Sequence, residues 1–139
     1  MERDNGLRLF VCGGRDIRNV HVVKHVLGAV REQSRLSTIV ETGDRAGLIA
    51  REWAHDRSVT VLSILGSEED WLTSTAKIRR LIDEGRPDLA IGFDHSQRSM
   101  FFMERMTREG VRTYVVPDQI SRSFPLAREA GPAAAHASA

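Results

Sequence analysis

The sequence predicts a single α/β domain, a Rossmann-like three-layer sandwich around a five-stranded, mainly parallel sheet. Three observations lead there. Short apolar runs alternate with longer segments of helical apolar spacing along most of the chain. Glycine or proline closes most of these units, at Gly13, Gly43, Gly66, Gly85, Gly110 and Pro117. The short runs are apolar on both faces, as expected of strands covered by helices on both sides.

The elements follow in order. Leu7 to Cys12 reads as the first strand, ending at Gly13-Gly14. Val20 to Arg35 carries Val22, Val23, Val26, Leu27 and Val30 at helical spacing. Ser37 to Thr42 is a short strand around the β-branched Thr38-Ile39-Val40. Leu48 to Arg57 is a helix whose Trp53 joins Ile49 and Ala50 in the core. Val59 to Leu65 is the third strand. A polar segment from Ser67 to Thr75 follows, interrupted by Trp71. Ala76 to Glu84 is a helix that Gly85 and Pro87 terminate. Leu89 to Phe93 is the fourth strand, Ser99 to Glu109 the last helix, and Arg112 to Val116 the fifth strand. The domain is expected over residues 7–117. Residues 1–6 form an N-terminal extension, and 118–139 a C-terminal one with an Ala-rich, flexible end.

Composition narrows the function classes. A net charge of +1 provides no electrostatic footprint for bulk nucleic-acid binding. The one cysteine, Cys12, cannot form an internal disulfide, which fits a reducing, cytoplasmic setting, and its apolar surroundings favour a buried structural thiol over a reactive one. No signal peptide or membrane span is expected. His and Cys never pair at metal-ligand spacing, so no structural metal is expected; no cofactor is expected either. A G-x-S-x-G nucleophile elbow is missing, and so is the G-x-G-x-x-G dinucleotide fingerprint.

In an open parallel sheet the ligand lies beyond the carboxyl ends of the strands. The first loop there opens with Gly13-Gly14-Arg15-Asp16. Its glycines let a ligand approach the backbone, and Arg15 suits a phosphate or carboxylate. Punctuation between strand and helix explains the same glycines equally well. In the second loop, Thr42, Gly43, Asp44 and Arg45, the side chains of Thr42 and Asp44 suit a ribose or a helix cap. Arg45 meets a phosphate or only solvent. In the last loop, Asp94, His95, Ser96, Arg98 and Ser99, Asp94 or Ser96 is a candidate N-cap and His95 a candidate ligand group. Trp71 either seals a pocket or stacks on a base, or else anchors its own loop. The apolar helix face from Met100 to Met106 is either core or a surface for a second copy of the chain.

Taken in order, these motifs resemble the YspA-like branch of the SLOG superfamily, the Rossmann-like group that includes DprA/SMF proteins and LOG nucleotide hydrolases. The resemblance rests on Leu9 to Asp16 with its G-G-R-D turn, on Trp53-Ala54, on Asp70-Trp71, and on Asp83-Glu84-Gly85-Arg86-Pro87-Asp88-Leu89. The departures are specific. The family's G-G-A-x-G-A-D loop is here Thr42 to Leu48, with Gly47 in the place of its aspartate. The arginine of G-P-x-R-N is Lys77, and the asparagine is lost. The P-G-G-x-G-T turn is Asp94 to Ser99, without its glycines. The glutamate that LOG enzymes carry after that turn has no counterpart, Glu104 being the nearest acid.

The resemblance implies a binder of a nucleotide or nucleotide-derived signalling ligand, acting without catalysis as a sensor, carrier or sequestering protein, in some relatives in phage–host conflict. Basic residues Arg15, Arg45, Lys77, Arg79 and Arg98 would supply charge where the family uses glycine amides. Two other readings stay open. One is a LOG-like hydrolase of an N-glycosidic or phosphoribosyl bond, with Asp16, Asp44 or Glu104 as base or nucleophile. The other is DprA-like binding of single-stranded DNA.

Overall fold

The computed structural model describes residues 6–14, 17, 19–64 and 75–117. Five strands form one sheet in the order β3-β2-β1-β4-β5, and every neighbouring pair is parallel. The strands are β1 (Leu7–Cys12), β2 (Leu36–Glu41), β3 (Thr60–Ser63), β4 (Leu89–Gly92) and β5 (Arg112–Val115). The helices are α1 (Val20–Gln33), α2 (Arg45–Ala54), α3 (Thr75–Arg80, continued by a π-helical turn over Leu81–Gly85) and α4 (Gln97–Arg108). The expected Rossmann-like sandwich is what the chain forms. The chain winds outward from β1 through β2 to β3, then crosses to β4 and β5. The order therefore reverses between β1 and β4, which is where such sheets hold ligands.

Alternation along the strands splits the core into two layers. Leu9, Val11, Ile39, Leu89 and Ile91 face α1 and α2, where Val23, Val26, Leu27, Val30, Ala50 and Trp53 cover them. Phe10, Cys12, Val40 and Ala90 face the other way, under Ile78, Leu81, Phe102, Met103 and Met106 of α3 and α4. Phe102 is fully buried and meets Phe10 edge-on at 5.6 Å. Burying a ring of that size contributes about 2–3 kcal/mol. Met100 and Phe101 are half-buried against the same layer.

Several boundaries differ from the sequence reading for local reasons. Helix α2 starts three residues early, at Arg45, because the Asp44 side chain caps it by accepting from Gly47 N at 2.8 Å. It ends at Ala54, before a turn in which Ser58 takes a positive φ of 59°. The double-sided burial expected of all strands holds for β1, β2 and β4. The edge strands β3 and β5 are only half-covered, with Thr60, Ser63 and Arg112 exposed.

The wide turn closing α3 explains the Asp83–Leu89 motif. Gly85 packs so tightly on β2 that a Cβ there would lie 2.9 Å from Val40 Cγ1. Its carbonyl accepts from Arg8 Nε at 2.7 Å. Arg86 then adopts φ 47°, and Asp88 bonds Arg8 through both backbone and side chain. This clamp lies at the amino ends of β1 and β4, opposite the switch point.

Gly85→Ala is expected to lower stability by about 1–3 kcal/mol, since the added methyl overpacks a buried contact. Adding Val40→Ala should make the combined loss smaller than the sum of the single losses, as read from urea midpoints.

Candidate functional site

At the switch point β1 runs out into Gly13 and Gly14. Gly13 sits in a tight place, where a Cβ would lie 2.8 Å from Ile17 Cδ1, 3.0 Å from Phe93 Cβ and 3.2 Å from Ala46 Cβ. Beyond Cys12 the two amides find side-chain partners. Gly13 N donates to Asp44 Oδ2 at 2.9 Å, and Gly14 N donates to Asp94 Oδ2 at 2.8 Å. The Gly13 carbonyl accepts from Ala46 N at 2.9 Å, tying the turn to the first residues of α2.

Asp44 thus joins β1 to α2, with Oδ1 on Gly47 N and Oδ2 on Gly13 N. Burial pushes its carboxyl up from 3.8 to about 6, against the pull of those two amides and of Arg98. Asp94 is also buried, and burial acts to raise its pKa too. Its bonds from Ser99 Oγ at 2.5 Å, from Gly14 N and from Ser96 outweigh that and hold it below the usual carboxylate range. Ser96 is the N-cap of α4, accepting from Ser99 N at 3.2 Å.

A third acid was not anticipated. Glu41, the last residue of β2, is fully buried. Its Oε1 accepts from Gly43 N at 2.5 Å, and its Oε2 accepts from Arg51 Nη2 at 3.1 Å and from the Ser63 hydroxyl. Gly47 makes the room, since a Cβ there would collide with Glu41 Oε1. The absence of a side chain at Gly47, which the motif comparison had registered only as a lost aspartate, is what admits this carboxylate. A glutamate this deep needs such partners.

Thr42 follows Glu41 and is only 4% exposed. Its hydroxyl has no hydrogen-bond partner among the described residues. Cys12 is a buried free thiol at the end of β1. Burial and the Asp44 charge push its pKa well up, outweighing a hydrogen bond with Ser99, so it stays protonated.

The structure brings Gly13, Gly14, Asp44, Asp94, Ser96 and Ser99 into one bonded group. Thr42 and Gly43 lie at its β2 side, with Gly43 at φ 89°. Arg45, the first residue of α2, and His95, on the loop before α4, are exposed. Arg98 stacks over Phe102 at 5.8 Å, and its charge reaches both Asp44 and Cys12. Arg79 is turned elsewhere, pairing with Asp83 and with Glu109 past the far end of α4. Lys77 lies on α3, and Arg15, Asp16 and Trp71 fall outside the described residues. Glu104 forms an exposed pair with Arg108 at 3.1 Å. Among the described residues there is no cluster of His, Cys, Asp and Glu that could hold a metal ion, and no helix long and apolar enough to cross a membrane.

Residues 7–67 match the family model described as YspA, cpYpsA-related SLOG family. Over that stretch the chain is similar to this family. The matched stretch holds β1 to β3 and contributes Gly13, Gly14, Glu41, Thr42 and Asp44 to the site. A comparison with curated proteins found no match.

The two aspartates predict opposite pH trends. Asp44 binds its proton more tightly folded than unfolded, so its contribution falls as pH rises from about 4 to about 6. Asp94 is depressed on folding, so its contribution is present above the unfolded carboxylate range and lost as pH falls through the folded pKa. Asp44→Asn should therefore remove a loss of at most about 3 kcal/mol between those pH values. Urea midpoints across pH 4 to 7 should decline less steeply in the variant than in the wild type.

Proposed function

We propose that this chain binds a nucleotide or nucleotide-derived signalling ligand at the carboxyl ends of its strands, without catalysis, as a sensor, carrier or sequestering protein. The Thr42 hydroxyl is the observation that carries this reading. It is buried at the carboxyl end of β2 and has no partner among the described residues. An unmet hydroxyl in that position costs stability, and a ligand that hydrogen-bonds to it recovers the loss. The YspA-like SLOG stretch covers this same edge.

Two of the three acids considered for catalysis, Asp44 and Glu104, support the non-catalytic reading, and Asp16 lies outside the described residues. Both Asp44 oxygens are committed to backbone amides. Glu104 is engaged with Arg108 on the surface. Neither is placed as a base ready to accept a proton from a substrate.

Thermal-shift measurements with nucleosides, mononucleotides, cyclic nucleotides and ADP-ribose derivatives test the reading. At least one should stabilise the protein, with no base released on chromatography. No shift with any of them would overturn it. Thr42→Val separates binding from folding. Removing an unsatisfied buried hydroxyl should leave the free protein as stable or about 1 kcal/mol more stable. Affinity for the stabilising ligand should nevertheless fall about tenfold.

A further inference from the structure

We propose that Asp44 and Asp94 serve as internal anions that fill the two backbone donors of the Gly13–Gly14 turn, so that the ligand meets this turn with an uncharged, donor-bearing group and not with a phosphate. A glycine turn at the end of a first strand is ordinarily read as a place where amides receive an anion. Here the amides are already taken. Gly13 N lies 2.9 Å from Asp44 Oδ2 and Gly14 N lies 2.8 Å from Asp94 Oδ2.

Neither carboxylate is a casual neighbour. Asp44 comes from the loop after β2 and is held from its other oxygen by Gly47 N. Asp94 comes from the loop after β4 and is held by Ser99 Oγ. Successive amides of an extended chain point to opposite sides, so one carboxylate closes each side of β1. A phosphate at this turn would have to displace one aspartate while facing the negative charge of the other.

Gly14 nevertheless leaves room on its Cα face. Among the described residues other than its chain neighbours, a Cβ built there would have Asp94 Oδ2 alone within 4 Å, at 3.7 Å. A ribose hydroxyl or a base amino group fits that space and can donate to the carboxylate's remaining lone pairs. Thr42, on the neighbouring strand end, offers a further hydrogen-bonding group. The ligand part of this inference rests on the nucleotide-ligand reading above, whereas the filled amides do not.

The test is amide NMR of the full chain titrated with inorganic phosphate and, separately, with adenosine and guanosine. Millimolar phosphate should leave the Gly13 and Gly14 resonances in place, while a bound nucleoside should move Gly14. Asp94→Ala vacates the anion position, so acetate or phosphate should raise that variant's Tm by roughly 2–4 °C and leave the wild type unchanged. Asp94→Ser is measured in parallel, and the wild-type titration stands without either variant.

Saturable movement of Gly13 or Gly14 by phosphate in the wild type would overturn the proposal. So would a folded Asp94 variant that does not respond to anions. A nucleoside that binds without moving Gly14 would overturn its ligand part. Binding of neither nucleosides nor nucleotides, with the variant still rescued by anions, would defeat the nucleotide reading and leave the internal anions standing.

Discussion

The carboxyl edge of this protein depends on how its central strand ends. β1 is hydrogen-bonded to β2 on one side and to β4 on the other, so the chain leaving it carries donors that still need partners in a largely buried place. Those partners are the side chains of Asp44 and Asp94. The same two residues set the start of α2 and the shape of the loop before α4. Strand ending, helix capping and site geometry are therefore one hydrogen-bonded unit, and no part of it can be altered without moving the others.

This arrangement concentrates acid at the switch point. Glu41 is fully buried beside Asp44, and its charge adds to the upward pressure on the Asp44 carboxyl. Desolvation opposes every one of these charges, and amide, hydroxyl and guanidinium donors offset it. Part of the fold's stability is therefore invested in polar contacts at the edge where a ligand would act. The aromatic and aliphatic layers above and below the sheet supply the surplus that allows it.

Much of this architecture was legible in the sequence. Among the described residues, apolar runs and helical spacings marked the five strands and four helices, because burial on both faces of a parallel sheet leaves that pattern. Edge and centre were not distinguishable, since Val61 and Leu62 of β3 look as apolar as Val11 of β1 until the strand order is known. The start of α2 was misplaced because Arg45-Ala46-Gly47 has the composition of a loop, while its helical state is set by a cap just upstream. Glu41 went unrecognised because its partners come from Gly43, Arg51 and Ser63, and no local pattern joins them. For Asp44 and Asp94 the sequence left capping and ligand contact both open, and neither composition nor spacing reveals that a side chain answers an amide from a distant strand.

Cys12 provides a last consequence. Its thiol is buried and kept protonated beside Ser99 and the two aspartates. A closed molecule should scarcely react with a thiol reagent, so modification would proceed through moments when the end of β1 is uncovered. The cysteine is thus a built-in clock for this edge of the sheet. A ligand that tightens the strand ends would slow it, and one bound elsewhere would leave its pace nearly unchanged.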